Sequence, residues 1–230
     1  MSNAGFRIYK KINRPDRELV ERFRGLPVSN IADEMNRMNC ADARIRPLNN
    51  MPLLGTAFTV KARTGDNLMF HKALDLAQPG DVIVVDGRGD LANSLFGEIM
   101  MRQALKKGLA GIVVDGAVRD CEALRQAKMA IYAAGITPQG PYKDGPGEIN
   151  VPICCGGVAV NPGDILVGDA DGIVVINPRD AAALAEKTKV KSEKEQATFK
   201  AIENGTLDRS AYSDEAFIKR GCVIIDDYWK

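Results

Sequence analysis

The spacing of apolar residues along the chain predicts an alternation of buried strands and amphipathic helices. Residues 82–86 (V-I-V-V-D) and 111–114 (G-I-V-V) are runs rich in β-branched residues, which are typical of strands covered on both faces. The segment between these strands places five apolar residues on one helical face: Ala92, Leu95, Phe96, Ile99 and Met100. A helix over residues 120–128 and a strand over residues 130–133 complete a strand–helix–strand–helix–strand unit. This alternation is the pattern of parallel crossover connections.

Further elements are predicted on both sides of this unit. The predicted helices cover residues 16–24, a segment opening at Val28, residues 67–77, residues 179–204 and a short piece near the C-terminus. The predicted strands cover residues 56–62, 153–154, 158–160, a hairpin over 165–176, and 223–225. We expect a turn at Asp115-Gly116 and a long loop after Thr137. The pattern is mixed α/β, and no shift in composition marks a boundary, so residues 1–230 are expected to form one domain.

Composition and charge narrow the function classes. The chain has 230 residues, of which 45% are hydrophobic, and a formal net charge of +1. Nothing in this balance favours a nucleic acid or an anionic membrane surface as a partner. No apolar run reaches the roughly 18 residues that a membrane-spanning helix requires. The N-terminus also lacks the apolar core of a signal peptide, so we expect a cytoplasmic protein.

The cysteines and the histidine limit the possible metal chemistry. The five cysteines are odd in number and form no C-x-x-C spacing, which argues against a zinc–thiolate site and a disulfide framework. His71 is the only histidine, which excludes a His-rich metal site. Any bound metal is therefore expected to be a hard ion held by oxygen ligands.

Residues 97–122 carry the strongest candidate chemistry. Gly97-Glu98 precedes a helical segment, and Arg119-Asp120 follows the strand that carries the chain back. Both pairs should lie at one end of consecutive units, where ligands collect in open α/β sheets. Two acids and an arginine beside free backbone N–H groups suit an anionic substrate and a hard metal ion. Taken singly, Asp120 could be a helix N-cap, Glu98 a first-turn acid and Arg119 a surface arginine.

These two pairs, with the run G-I-V-V-D-G-A-V over residues 111–118, resemble the family of 4-hydroxy-4-methyl-2-oxoglutarate aldolases. That family also contains 4-carboxy-4-hydroxy-2-oxoadipate aldolases and the RraA-like regulators of ribonuclease E. The resemblance covers about residues 20–205. It implies an RraA-like domain of the swivelling type, with a central β-barrel-like or sandwich sheet flanked by helices. It also implies a homotrimer or homohexamer, with the helix over residues 179–204 at a subunit interface.

For the site, the resemblance implies a metal-dependent, class II pyruvate aldolase. Asp120 matches the family's metal-binding aspartate, and Arg119 matches its substrate-binding arginine. The backbone segment that receives the pyruvyl carboxylate matches four residues: Gly97, Glu98, Ile99 and Met100. An acid from the long C-terminal helix of a neighbouring subunit holds metal-bound water in the family. Glu195 is the best match to that acid, and Glu193 is the alternative.

The implied reaction is cleavage of a 4-hydroxy-2-oxo di- or tricarboxylic acid to release pyruvate. Mg²⁺ or Mn²⁺, chelated by the 2-oxo acid, would act as a Lewis acid, and Arg119 would add positive charge at the enolate oxygen. The sequence places no histidine near this corner, so we expect metal-ordered water or hydroxide to be the base, oriented by Glu98 and Glu195. Decarboxylation of oxaloacetate would pass through the same enolate.

The resemblance also bears on where the helix after the first pair begins. Asn93 or Ser94 is the natural N-cap in the sequence. A helix that starts there would use the N–H groups of Ile99 and Met100 in its own hydrogen-bond ladder. We therefore predict a start near Gly97, which leaves those groups available for a carboxylate.

Two other functions stay open. The first is a non-catalytic, RraA-like regulator that binds a ribonuclease and needs no intact metal corner. The second is an S-adenosylmethionine-dependent methyltransferase, suggested by Gly87-x-Gly89 after a buried strand, although the full glycine fingerprint is missing. Lys61 is interpreted as a solvent-facing strand lysine rather than a Schiff-base lysine, because the latter requires an apolar pocket.

Overall fold

A computed structural model describes residues 3–229 of the chain. The chain falls into two compact units, residues 1–189 and residues 190–230, and the whole sheet lies in the first unit. That residues 1–230 form one domain stays a prediction. No helix in the described part of the chain is long and apolar enough to cross a membrane.

Nine of the strands within residues 3–229 form one mixed sheet, and two more form a separate hairpin. The strands are β1 (Phe6–Ile8), β2 (Arg46–Pro47), β3 (Leu53–Ala62), β4 (Asp81–Phe96), β5 (Gly111–Val118), β6 (Ala130–Ile136), β7 (Gly147–Ile149), β8 (Ile153–Cys155), β9 (Val158–Val160), β10 (Ile165–Gly168) and β11 (Ile173–Ile176). The sheet order is β1-β7-β3-β4-β5-β6-β2, with β10 bonded to β3 and β11. Strands β3 to β6 run parallel to one another.

Helices connect and flank these strands. They are α1 (Arg17–Glu21), α2 (Val28–Glu34), α3 (Leu68–Leu76), α4 (Glu98–Lys107), α5 (Cys121–Gln126), α6 (Pro178–Glu203) and α7 (Asp214–Lys219), with a 3₁₀ turn at Ser210–Tyr212. Each of α3, α4 and α5 connects two parallel strands, and the crossover pattern predicted the connections through α4 and α5. The predicted α/β class, with a central sheet flanked by helices, is confirmed.

The parallel strands are buried on both faces. Ile83 and Val85 of β4 pack into a core with α3, α4 and α5, whereas Val82 and Val84 face a second core that includes β8 and β10. This alternation follows from the two-residue period of a strand. It explains why the parallel strands read as continuous apolar runs in the sequence.

Strand β4 is much longer than predicted, and this corrects one expected helix. It continues from Asp81 to Phe96, with shifts in register against β5 after Asp86. Ala92, Leu95 and Phe96 are therefore strand residues rather than the start of a helical face. The apolar spacing was misleading because irregular pairing breaks the strict two-residue period of a strand. The predicted helix start near Gly97 is confirmed, since α4 begins at Glu98.

Two smaller expectations were wrong. Asp115-Gly116 lies inside β5 instead of forming a turn, because Asp115 is held by a 2.8 Å ion pair with Arg44 Nη2 and a 2.8 Å hydrogen bond from the Gly156 amide. Residues 223–225 form no strand among the described residues and are exposed. The predicted long loop after Thr137 is present, and it ends at β7, a short strand that was not predicted and that pairs with β3.

Candidate active site

The carboxyl ends of β4 and β5 bring the two predicted residue pairs together. Phe96 and Val118 are the last residues paired between these strands. The Arg119 N–H then donates to the Phe96 carbonyl at 3.0 Å. Gly97 and Arg119 thus leave two neighbouring strand ends side by side. Ligands bind at this edge of the sheet in open α/β structures.

The Asp120 carboxylate joins the two pairs. Its Oδ2 accepts a hydrogen bond from the backbone N–H of Glu98 at 2.9 Å, and Glu98 is the first residue of α4. Asp120 stands at the N-cap position of α5, but its side chain forms no capping bond to that helix. It therefore caps the neighbouring helix instead. Its φ of +56° is uncommon for a non-glycine residue, and such strained conformations cluster at functional sites.

Gly97 is required at this corner because there is no space for a side chain. A Cβ built on Gly97 would lie 2.5 Å from Asp120 Oδ2 and 3.2 Å from Arg119 Cγ. Its φ of −157° is extended backbone that any residue adopts. Crowding by the two functional side chains, rather than backbone conformation, therefore explains the glycine.

Arg119 and Asp120 are both accessible to a ligand. Their side chains are 44% and 43% exposed, and Arg119 Nε lies 3.9 Å from Asp120 Oδ2, too far for a hydrogen bond. The guanidinium lies beside the loop after β6, where Nη1 is 3.2 Å from the Cβ position of Gly140. Asn93 Nδ2 holds that loop by donating to the Gly140 carbonyl at 2.7 Å.

The start of α4 presents backbone donors to the same corner. The first bond of the helix runs from the Met101 N–H to the Gly97 carbonyl at 3.0 Å. The amides of Ile99 and Met100 precede that bond and so have no acceptor within the helix. Both residues line the cavity beside Arg119 and Asp120. The two amides and the positive end of the helix dipole favour a carboxylate there.

The Glu98 side chain is directed away from the cavity. Arg102 Nε, one turn along α4, donates to Glu98 Oε1 at 2.8 Å. Glu98 does not line the cavity that Asp120 lines. Its backbone N–H is also occupied by Asp120. A role for Glu98 in holding metal-bound water stays a prediction, and it would require the side chain to leave Arg102.

The cavity at this corner has a volume of about 120 Å³. Its lining comes from α3, the ends of β4 and β5, the start of α4 and the loop after β6: Asn67, His71, Ser94, Phe96, Gly97, Ile99, Met100, Arg119, Asp120, Pro141 and Lys143. His71 and Lys143 were not predicted as site residues. The spacing of Asn67 and His71, four residues apart at the start of one helix, was the available signal, because such residues share a helix face.

His71 brings a titratable base into the cavity, contrary to the expectation that no histidine lies near this corner. Burial lowers the pKa of His71, and the nearby Lys143 ammonium lowers it further, while Asp75 acts in the opposite direction. The imidazole is therefore held in its neutral form at lower pH than an ordinary histidine. A neutral imidazole can accept a proton from a bound hydroxyl group.

Asn67 carries a buried polar atom that has no hydrogen-bond partner within the described residues. Its side chain is buried, and Nδ2 donates to the Leu95 carbonyl at 3.0 Å. Its Oδ1 is buried with no hydrogen-bond partner in the described structure. A buried, unsatisfied oxygen costs free energy unless a water, an ion or a ligand group reaches it.

The oxygen donors at this corner fit a hard divalent cation. Among the described residues no group of three or more His, Cys, Asp or Glu side chains could hold a metal by itself. Mg²⁺ is commonly bound through only one or two carboxylates, with water and substrate oxygens completing its shell. The Asp120 carboxylate matches that requirement, and Asn67, whose Oδ1 has no partner within the described residues, lines the same cavity.

Asp66 positions both His71 and Lys143. Its buried carboxylate accepts hydrogen bonds from the Leu68 amide at the start of α3, at 2.9 Å, and from the Asp144 and Gly145 amides at 2.7 and 2.8 Å. One side chain thus ties the beginning of the helix that carries His71 to the loop that carries Lys143.

Glu195 lies on helix α6, within the unit of residues 190–230. Its side chain is half-buried. The expected role of Glu195 or Glu193 in a neighbouring subunit's site stays a prediction.

The fold is a mixed α/β fold with a cavity at the carboxyl ends of two parallel strands, β4 and β5. Residues 28–175 match the RraA-like family model, described as Aldolase/RraA. A protein of Halalkalibacterium halodurans, provisionally named a 4-hydroxy-4-methyl-2-oxoglutarate aldolase, is 39% identical over 199 residues, which are 86% of this chain and 95% of that protein. The chain belongs to the RraA-like family. The family model and the name of this relative support an aldolase or an RraA-like role.

Solved structures support the same fold. Streptomyces coelicolor RraAS2, described as an unusual member of the RNase ES inhibitor RraA family, superposes with a TM-score of 0.72 and 28% identity over 81% of this chain and 98% of that one. A Geobacillus kaustophilus protein, titled S-adenosylmethionine:2-dimethylmenaquinone methyltransferase, gives a TM-score of 0.62 and 29% identity. The match covers 66% of this chain and 94% of that one.

The glycine motif on β4 does not form a nucleotide-binding loop. Gly87 and Gly89 lie within strand β4, whose pairing with β5 resumes at Asp90 after a register shift. The fingerprint of a nucleotide-binding turn requires the glycines to connect a strand directly to a helix. The local structure therefore gives no support to the methyltransferase alternative.

Proposed function

We propose that this protein is a divalent-metal-dependent aldolase that cleaves 4-hydroxy-2-oxo di- or tricarboxylic acids and releases pyruvate. The observation that carries the proposal is the convergence of Arg119, Asp120 and the first amides of α4 on one cavity. A 2-oxo acid substrate would use each of these groups: the amides for its carboxylate, Asp120 for the cation that it chelates, and Arg119 for its 2-oxo oxygen. The candidate substrates are 4-hydroxy-4-methyl-2-oxoglutarate and 4-carboxy-4-hydroxy-2-oxoadipate. The name of the Halalkalibacterium halodurans relative supports the first of these.

Asp120 would hold the cation, which we propose to be Mg²⁺ or Mn²⁺. When bound, the cation supplies Lewis-acid polarisation of the substrate's 2-oxo group. The Ile99 and Met100 amides would orient the carboxylate next to that group. Arg119 would place a fixed positive charge beside the oxygen on which the enolate charge develops.

His71 would take the proton that the reaction must remove. Cleavage begins with loss of the C4 hydroxyl proton, and the C3–C4 bond then breaks as the C4 carbonyl forms. The released electron pair becomes the enolate of pyruvate, which is protonated at C3. Because burial and Lys143 lower the pKa of His71, the imidazole is ready to accept the hydroxyl proton at neutral pH.

Lys143 would contribute to substrate selection. Its ammonium lines the cavity together with the Arg119 guanidinium. The cavity therefore offers a dicarboxylic substrate two cationic groups, Arg119 near the 2-oxo acid end and Lys143 for the second carboxylate. Oxaloacetate is a further expected substrate, because its decarboxylation produces the same pyruvate enolate.

The test is pyruvate release from a panel of 4-hydroxy-2-oxo acids and oxaloacetate, with Mg²⁺ or Mn²⁺ and with a chelator. We expect release from at least one dicarboxylic substrate, and loss of release when the metal is chelated. No pyruvate from any member of the panel, with either metal, would overturn the proposal.

The alternative function is that of a regulator that binds a ribonuclease, and the likeness to Streptomyces coelicolor RraAS2 favours it. Such a role requires a binding surface but no metal-dependent turnover. Capture of a purified RNA-degrading enzyme, with inhibition of its RNA cleavage and no pyruvate release, would favour this alternative.

A homotrimer or homohexamer forms part of the aldolase proposal, because Glu195 or Glu193 would complete the site of a neighbouring subunit. Light scattering after size-exclusion chromatography measures the assembly directly. If the proposal holds, a Glu195→Gln variant with unchanged mass will show reduced turnover. A monomer with full activity would remove this part of the proposal.

A further inference from the structure

A second cavity, with a volume of about 410 Å³, lies beside the carboxyl end of β3 and the middle of β4, at Arg88. It shares no lining residue with the candidate active site. Lys61, Arg63 and Arg88 line it, together with residues of β7 and of the chain just before it. A cavity of this size is within the range of small-molecule sites.

The charges around this cavity are mostly positive. Glu148 is the acid of its lining, and Glu148 Oε1 already accepts a hydrogen bond from Arg7 Nε at 2.6 Å. Neither Lys61 nor Arg88 forms an ion pair with any residue from 3 to 229. Arg63 uses one donor, since Nη1 bonds the Gly145 carbonyl at 3.0 Å. Three cations therefore retain donors for a ligand.

Strand β4 is bulged at the point where Arg88 enters the cavity. Arg88 has a φ of +60° and stands between Gly87 and Gly89, and the pairing of β4 with β5 jumps from Asp86 to Asp90 here. The Arg88 N–H donates to Asp86 Oδ1 at 3.1 Å, which holds the bulge in place. Bulges commonly redirect a side chain next to a functional site. A backbone in the left-handed region is also a strained conformation for an arginine, and it persists only where the surrounding structure holds it.

A second buried acid, Asp86, lies outside the lining of this cavity. Asp86 pairs in register with Lys61 across β3 and β4 but does not line the cavity. Burial raises the pKa of Asp86, whereas backbone hydrogen bonds from Arg88 and Cys154 and the positive charge of Arg88 lower it. Asp86 thus offsets part of the Arg88 charge, but the lining still carries three cations against one acid, Glu148, which is bonded to Arg7.

We propose that this second cavity binds a small polyvalent oxyanion, a phosphate- or carboxylate-bearing metabolite, through Lys61, Arg63 and Arg88. Guanidinium groups bind such anions with two parallel N–H donors, and a lysine adds a point charge. The inference is independent of the function proposed for the active site, because it uses none of the active-site residues. It also gives a role to the Gly87-Arg88-Gly89 bulge and to Lys61, which the aldolase site does not use.

The test uses isothermal titration calorimetry of the full chain at constant ionic strength and without added divalent metal. Inorganic pyrophosphate is the phosphoryl probe, and citrate is the carboxylate probe. The test variant is Lys61→Met with Arg88→Gln, and the matched control is Lys106→Met with Arg22→Gln, which removes the same charges away from both cavities. An Arg119→Ala variant separates binding here from binding in the active site.

We expect at least one probe to bind the wild-type protein. Binding should weaken about tenfold or more in the test variant, because two charge-assisted contacts are removed. It should stay within about twofold in the control, since exposed charges that do not contact the ligand are largely screened. The Arg119→Ala variant should bind the probe as tightly as the wild-type protein does. Binding of pyrophosphate alone identifies a phosphoryl ligand, and binding of citrate alone identifies a carboxylate ligand.

Several outcomes would overturn the inference: no binding of either probe, equal binding by the test variant and the wild type, or equal weakening in the control. Loss of binding in Arg119→Ala alone would assign the anion to the active site. A test variant that changes the oligomeric state but not binding would show that the cavity holds a neighbouring copy. Thermal unfolding checks the fold of each protein, and Arg88→Gln alone serves if the double variant unfolds.

Discussion

Asp120 Oδ2 accepts a hydrogen bond from the Glu98 backbone N–H at 2.9 Å, so the carboxylate that follows β5 caps the helix that follows β4. One acid thus serves both the packing of two crossover units and the proposed cation site. Because Oδ2 is committed to the helix, Oδ1 is the oxygen left for a cation. The two roles can be separated by substitution.

Replacement of Asp120 by Asn and by Ala should affect activity and stability differently. Asparagine keeps an oxygen acceptor for the Glu98 amide, so Asp120→Asn should retain nearly wild-type stability, while Asp120→Ala should lose about 1 kcal/mol. Both variants should lose about 100-fold or more of pyruvate release, because the charge that would hold the cation is gone. Urea unfolding and pyruvate release measure the two effects. Near-normal turnover in either variant would remove Asp120 from the proposed chemistry.

Gly97→Ala should impair activity without requiring a new backbone conformation. The added methyl group would lie 2.5 Å from Asp120 Oδ2, so either the carboxylate or the start of α4 must move. Small displacements of catalytic groups are costly, and we expect about a 100-fold loss of turnover. Steady-state kinetics and near-UV circular dichroism check this expectation. Unchanged kinetics in a folded variant would show that the Gly97 contact does not position Asp120.

The pH dependence of cleavage should report the ionisation of His71. Burial and Lys143 lower the pKa of His71 below its ordinary value of 6.5, and the neutral form is the one that accepts a proton. Activity should therefore fall only as the pH drops below that lowered pKa. Lys143→Met removes one cause of the shift, so the acidic limb should move to higher pH, although the lost charge also weakens substrate binding.

His71→Gln is the companion to that measurement. It should lower kcat and abolish the acidic limb assigned to the imidazole, because glutamine does not titrate in this range. The measurement is the pH profile of kcat for pyruvate release. An acidic limb that persists in His71→Gln would assign the base to another group, such as the metal-ordered water predicted from the sequence.

Asp66 should be important for stability although it does not line the cavity. Its buried carboxylate accepts three backbone hydrogen bonds, from the amides of Leu68, Asp144 and Gly145. Asp66→Ala leaves these donors without their partner and should cost about 2–4 kcal/mol of unfolding free energy. Asp66→Asn, which keeps one oxygen acceptor, should cost less. If the alanine variant and the wild type are equally stable in urea, the three hydrogen bonds to Asp66 do not stabilise the fold as proposed.

The sequence predicted the parallel crossover unit because buried parallel strands and their connecting helices each have a clear periodicity. It also predicted the meeting of Gly97-Glu98 with Arg119-Asp120, since consecutive crossovers return to the same edge of a sheet. The start of α4 at Glu98 agrees with the predicted start near Gly97. These features depend on the succession of strands and helices along the chain, which can be read from the sequence itself.

The prediction from the sequence was wrong for the segment that precedes the candidate site. Residues 92–96 were predicted to be helical, but they extend strand β4 beyond a bulge. Asp115 was placed in a turn, but Arg44 and Gly156 hold it inside β5. In both cases the deciding partners lie on distant parts of the chain, so no local pattern could reveal them.

By itself, the sequence determined the α/β class, the edge of the sheet that carries the candidate site, and the residue pair Arg119-Asp120. The tertiary structure alone decided which helix Asp120 caps, that Glu98 pairs with Arg102, and that His71 and Lys143 join the same cavity. The physical reason is that hydrogen bonds and burial between distant segments set the direction and the ionisation of a side chain. Periodicity fixes only the element on which that side chain stands.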